Sequence, residues 1–80
     1  MGTIAEEFIQ EGFEIGFQKG MRIAMRQSIV DLLQIRLGIP ETEFQSRLAQ
    51  IQNLEDLRLL FHHAATVDDV VQFEQALAAL

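Results

Sequence analysis

The chain has 80 residues, about the length of one small domain, and its 49% apolar and 22% charged residues are typical of a folded protein rather than a disordered one. Six Lys and Arg against twelve Asp and Glu give a formal charge of -6, which disfavours a surface that follows nucleic-acid phosphates. The absence of cysteine excludes disulfides, thiolate zinc sites and thiol nucleophiles.

A single long helix is predicted over residues 4–37. Thr3 followed by Glu6 has the spacing of a capping box, in which each side chain binds a free backbone amide at the start of a helix. No proline occurs before Pro40, and Gly38 offers the left-handed residue that commonly ends a helix. Acidic residues crowd the first half of this segment and basic residues the second half, which is the order that the helix dipole favours.

The first half of this helix contains a repeat with a period of four residues. Small residues recur at Gly12, Gly16, Gly20, Ala24 and Ser28, and an apolar row follows the same spacing through Ile9, Phe13, Phe17, Met21, Met25, Ile29, Leu33 and Leu37. A period of four fits a helix, around which the row drifts by about 40° per step. The alternation of Phe13, Ile15 and Phe17 leaves a β-hairpin as the alternative, because each glycine costs a helix about 1 kcal/mol.

Three short helices are predicted to follow, over residues 41–51, 54–64 and 67–79. Asn53 and Thr66 are the expected N-caps of the second and third of these helices. The predicted buried stripes are Phe44, Leu48 and Ile51 in the first, Leu57, Leu60, Phe61 and Ala64 in the second, and Val70, Phe73, Leu77 and Leu80 in the third. The expected fold class is all-α.

The first predicted helix is much longer than the three that follow it. A helix over residues 4–37 is about 50 Å long, whereas a helix of about eleven residues reaches only about 17 Å. A small C-terminal subdomain at residues 38–80 therefore leaves the start of the long helix uncovered, unless the Gly-rich half bends over its own core. Exposed apolar surface marks interfaces, and small residues let two helices approach closely. We expect one helical domain that forms a homodimer, with an interface at Ile9, Gly12, Phe13, Gly16, Phe17, Gly20 and Met21.

No catalytic, cofactor or metal site is predicted. The adjacent pair His62-His63 diverges by about 100° on a helix and cannot bind one metal ion together. Helix capping explains Asp68-Asp69, and the glycines match neither a Walker loop nor a dinucleotide fingerprint. Residues 21–40 form the one basic stretch, with three Arg against one Asp. We expect no enzyme activity and no direct nucleic-acid partner.

No apolar run approaches the roughly 20 residues needed to span a bilayer, and no secretory signal pattern is present at the start. We therefore expect a soluble, cytoplasmic protein without a membrane partner.

The chain contains the segments TIAEE at residues 3–7, QEG at 10–12, QKG at 18–20, LLQIRLGIP at 32–40, NLEDL at 53–57 and VDDV at 67–70. Together these segments resemble the tail of the recombination-promoting nuclease (Rpn) family of bacterial, transposase-like PD-(D/E)XK nucleases. The segment at 32–40 is similar to an L-L-x-x-R-F-G-x-L-P signature, although Leu37 replaces the usual Phe and the spacer before Pro40 is shorter.

This resemblance implies a C-terminal accessory region without the nuclease core. A (D/E)-x-K element needs an acid two residues before a lysine, and Phe17 stands there before Lys19, the only lysine of the chain. The family implies oligomerisation. In some members the same region is also translated separately, as an antitoxin that binds and blocks the full-length nuclease. The alternative is a helical dimerisation domain unrelated to nucleases.

Overall fold

The computed structural model describes the backbone of residues 4–80 and the side chains of residues 12–80. Four helices follow one another: α1 (Ile4–Leu37), α2 (Gln45–Ala49), α3 (Leu54–Thr66) and α4 (Val70–Ala78). The predicted all-α fold with a long first helix is confirmed. The β-hairpin alternative is wrong, since residues 12–20 are helical throughout.

The end of α1 follows the predicted signals. Gly38 has a φ of +68°, and its amide donates to the carbonyl oxygen of Gln34 at 3.0 Å. This left-handed residue closes the helix at Leu37, and Pro40 follows two residues later. The expected cap at Thr3 lies outside the described residues.

The core forms where the C-terminal half of α1 packs against α3 and α2, with α4 packed on α3. At its centre, the Phe44 and Phe73 rings meet edge to face, with centroids 5.1 Å apart. The buried side chains are Ile29, Val30, Leu33, Ile39, Phe44, Leu48, Leu57, Leu60, Ala64, Val67 and Phe73. Most of the predicted stripes therefore do reach the core, but Leu80 does not, because it follows the end of α4 and remains 47% exposed.

The first short helix is shorter than predicted, and the expected span of 41–51 is wrong at both ends. Residues 41–44 form a turn, with the Glu43 amide donating to the carbonyl oxygen of Pro40 at 3.1 Å. Phe44 occupies the N-cap of α2 without any side-chain cap, because its ring is buried in the core instead.

The caps of the later helices are partly as predicted. Asn53 Oδ1 accepts from the Glu55 amide at 2.8 Å, which confirms Asn53 as the N-cap of α3. The expected N-cap at Thr66 is wrong: Thr66 is the last residue of α3, and its hydroxyl donates to the His62 carbonyl oxygen at 2.8 Å. Asp69 caps α4 instead, which therefore begins at residue 70 rather than 67.

The molecule is elongated, with principal extents of 53 × 21 × 19 Å. Its radius of gyration is 15.9 Å, compared with about 12 Å for a compact chain of this length. We call the projecting residues 4–20 the arm and residues 21–80 the body. The alternative in which the Gly-rich half bends over the core is wrong, because α1 continues through both.

Candidate interface on the first helix

Large apolar side chains of the arm lie in solvent. Phe13 is 72% exposed and Phe17 is 59% exposed, and Ile15 is exposed as well. The Phe13 and Phe17 rings stack on each other, with centroids 6.3 Å apart and planes inclined by 15°. They are one helical turn apart and form one continuous apolar patch, the kind of surface that marks an interaction site.

Three glycines lie beside this patch, although neither the packing nor the backbone of the chain requires glycine at these positions. A Cβ atom added at Gly12, Gly16 or Gly20 would meet no other atom within 4 Å. None of the three has a positive φ, so the backbone does not require glycine there either. Each glycine still costs the helix about 1 kcal/mol relative to alanine. What the glycines provide is an open groove, which a second helix could enter.

Phe13, Gly16, Phe17 and Gly20 share one face of α1, whereas Ile15, which is exposed as well, lies on the opposite side of the arm. At about 100° per residue, this face lies opposite Ile29 and Leu33, which are buried against α3 and its neighbours. We call it the outer face; its members along residues 12–24 are Phe13, Gly16, Phe17, Gly20, Ile23 and Ala24, each of which lies three or four positions from another member. Ile23 is 56% exposed.

The structure brings together only some of the predicted interface residues. Four of them lie on the outer face, namely Phe13, Gly16, Phe17 and Gly20. Gly12 and Met21 lie at its two edges, and Met21, the first residue of the body, is 39% exposed. The side chain of Ile9 lies outside the described residues.

Ile23 and Ala24 complete the outer face and were absent from the predicted interface. The apolar row with a period of four passes through Met21 and Met25, so it does not contain Ile23. A helical period of three and four, counted from Gly16 and Gly20, would have found it.

Two arginines of α1 bind backbone carbonyl groups of the body. Free carbonyl groups at the end of a helix attract cations and hydrogen-bond donors. The bonds run from Arg26 to the carbonyl oxygens of Leu48 (2.9 Å) and Ile51 (2.6 Å), and from Arg36 to those of Ala64 (2.7 Å) and Val67 (3.0 Å). Two of the three arginines in the basic stretch therefore hold the ends of α2 and α3.

The grooves beside α1 are small or open. A cavity of about 170 Å³ lies between α1 and α2, lined in part by Ile23, Arg26 and Gln45, and is smaller than the roughly 300 Å³ at which ligand pockets begin. An open groove of about 500 Å³ lies between Phe17 and Met21 of α1 and residues 52–54 of the body.

The described part of the chain contains no candidate metal site. Over residues 12–80, no group of three or more His, Asp or Glu side chains is placed to hold a metal ion, and no polar or charged residue is buried. His62 is exposed and His63 is half-buried, as the diverging pair predicts. Among the described residues, no helix is both long and apolar enough to cross a membrane.

Comparison of the chain with protein-family models, curated proteins and solved structures gives no match. The resemblance to the Rpn family therefore depends on the sequence segments alone.

Proposed function

We propose that this chain is a non-catalytic interaction module that forms a homodimer through the outer face of α1. The observation that supports this most directly is the exposed Phe13 and Phe17 pair beside glycines that have open space around them. A chain acting alone would keep both the apolar exposure and the helix-weakening glycines without any benefit. A second helix in the groove explains both features together.

The energy available is of the required size. Burying a Phe or Ile side chain contributes about 1.5–3 kcal/mol relative to leaving it in water. Phe13, Phe17 and Ile23 from two chains would together contribute on the order of 10 kcal/mol. Association costs about 4–15 kcal/mol in lost translation, rotation and side-chain freedom. The outer face alone therefore supplies much of what a dimer needs.

We further propose that the partner in a cell includes a nuclease of the Rpn type that has the same C-terminal region. The support is the sequence resemblance, because two of the similar segments, QEG and QKG, lie in the exposed arm and contain Gly12 and Gly20. A short chain that presents the same helix would occupy the surface through which two nuclease subunits pair. Such competition would make the chain an antitoxin without any catalytic residue.

Light scattering tests the homodimer. At tens of micromolar the chain is expected to have a mass of about 18 kDa, twice its 9.1 kDa. Phe13→Ala should shift the molecules toward monomers, because it removes a large apolar contact from each side. Leu59→Ala is the matched control, since Leu59 is also an exposed large apolar residue but lies on α3. A wild-type monomer, or equal effects of the two variants, would contradict the proposal.

Co-purification tests the nuclease partner separately. The candidate is a nuclease whose gene encodes this region in frame, with an internal ribosome-binding site before Met1. The wild-type chain should bind that nuclease and lower its DNA cleavage, and Phe13→Ala should do so less. A homodimer that leaves the nuclease unbound would instead favour a helical dimerisation domain unrelated to nucleases.

A further inference from the structure

The small cavity between α1 and α2 has a size and a lining that suit one aromatic ring. Its volume is about 170 Å³, and an apolar cavity of about 150 Å³ is enough to bind benzene. The buried residues Val30 and Leu48 line it together with the exposed residues Ile23 and Ala49. The cavity is therefore too small for a typical small-molecule ligand but large enough for the ring of a phenylalanine.

Arg26 also lines this cavity and favours an aromatic ring over an aliphatic side chain. Its guanidinium group is fixed in place, because it donates to the carbonyl oxygens of Leu48 and Ile51. Aromatic rings stack on guanidinium groups. The chain already contains such a pair, with the guanidinium carbon of Arg47 5.3 Å from the centre of the Phe44 ring. A ring that enters the cavity can therefore contact a cationic group whose position is already set.

We infer that Phe13 of the second copy enters this cavity, so that each chain of the dimer inserts one ring into the body of its partner. The inference depends on the proposed homodimer and adds the place where its most exposed aromatic ring is buried. Phe13 is 72% exposed, whereas Phe17 lines a groove of its own chain together with Met21 and residues 52–54. Phe13 is therefore the more available of the two rings.

A chain cannot fill its own cavity with Phe13. Ile23 is the lining residue nearest to the arm, and it follows Phe13 by ten residues, which is about 15 Å along a continuous helix. The side chains of a helix also lean toward its N-terminus, so the Phe13 ring points away from the cavity of the same chain. Phe13 can therefore enter only the cavity of another chain.

The area that a stable dimer buries also requires contact with the body. Stable interfaces bury about 1,200–2,000 Å² in total. The large apolar side chains of the outer face, Phe13, Phe17 and Ile23, expose roughly 700 Å² in two chains, since a Phe side chain buries about 150–250 Å² when fully covered. Ile23 belongs to the outer face and also lines the cavity. The cavity therefore continues the proposed interface from the arm onto the body.

A double-mutant cycle on the dissociation constant of the dimer tests this contact. Ala49→Leu fills part of the cavity and should raise the dissociation constant by about tenfold or more, and so should Phe13→Ala. Because both changes remove the same contact, the double variant should be within about threefold of the weaker single variant. Ala65→Leu is the matched control, which should leave the constant unchanged, since Ala65 is also an exposed helical alanine but lies on α3.

Nuclear Overhauser effects between chains locate the ring without any change at the cavity. In a mixture of isotope-labelled and unlabelled wild-type chains, the ring protons of Phe13 in one chain should contact the methyl groups of Val30 and Leu48 in the other. These two residues are only 7% and 1% exposed. A ring that packs on the surface alone would not reach both of them.

Three outcomes are distinct. A non-additive cycle together with contacts from Phe13 to both buried residues supports the inference. A wild-type dimer in which Ala49→Leu has no effect, the two changes are additive, or no Phe13 contact reaches Val30 and Leu48 overturns the inference and leaves the proposed homodimer intact. A wild-type monomer at tens of micromolar overturns both.

Discussion

Gly16 is a residue at which helix stability and association make opposite demands. Its backbone is helical with no neighbour near the missing Cβ, so a larger side chain fits the isolated chain without strain. A glycine there weakens α1 by about 1 kcal/mol relative to alanine. In the proposed dimer, however, the same position lies against the partner's helix.

We expect Gly16→Leu to abolish the dimer while leaving the helix content of the chain unchanged or higher. The added side chain fills the groove and keeps the second backbone away, and it favours helix formation at the same time. Light scattering would give the mass, and circular dichroism the helicity. Gln18→Leu is the matched control, since Gln18 is exposed two residues away on another side of the arm. A Gly16→Leu chain as dimeric as its parent would contradict the proposed interface.

At the scale of elements, the ends of the short helices are fixed by contacts with α1. Arg26 donates to the carbonyl oxygens of Leu48, in the last turn of α2, and of Ile51, two residues after it. Arg36 likewise donates to those of Ala64, in the last turn of α3, and of Val67, the residue after it. The five residues of α2 are too few to form a stable helix on their own. Packing and these bonds hold them in place.

Arg26→Met should therefore lower the free energy of unfolding by about 1–3 kcal/mol, because it removes both bonds and leaves carbonyl oxygens less well satisfied. Met keeps much of the apolar stem, so the loss of packing is small. Urea denaturation at a fixed chain concentration would measure the effect. Arg22→Met, at a half-buried arginine earlier on α1, should change stability by no more than about 0.5 kcal/mol. Equal losses in the two variants would show that the carbonyl bonds do not stabilise the body.

Local signals predicted α1 and α3 well, because their caps depend on residues next to each other in sequence. Gly38 and Asn53 act as the sequence indicates. The start of α2 was not predictable in this way, since Phe44 leaves the helical pattern in order to pack against Phe73, a residue far along the chain. Thr66 and Asp69 both suit an N-cap, and only the extension of α3 to Thr66 decides between them.

The exposure of the arm was predictable from the helix lengths, because three short helices cannot cover a helix of 34 residues. Ile23 was missed for a different reason. It lies close to the point where the arm joins the body. The apolar row with a period of four winds around α1, so it does not indicate which side of the helix the body leaves uncovered. The free side depends on where the body packs, which the sequence alone does not reveal.

At the scale of the whole molecule, charge and packing together disfavour nucleic acid as a ligand. The formal charge is -6, and two of the three arginines in the basic stretch already bind the body's own carbonyl groups. At physiological salt we expect no duplex complex, and incubation with DNA and a divalent metal should leave the DNA intact. A micromolar complex weakened by Arg22→Met, or metal-dependent cleavage that survives purification controls, would contradict this expectation.

The two arginine anchors also set an angle. They are ten residues apart on one unbroken helix, so they fix the rotation of α1 against the body as well as its position. Each residue added to the helix before Arg26 then rotates the outer face by about 100° relative to the body. One alanine inserted between Ala24 and Met25 would leave the outer face at residues 13–24 intact but turn it by that angle, whereas seven would return it to within about 20°. Dimers of both variants would form, with their bodies pointing in different directions.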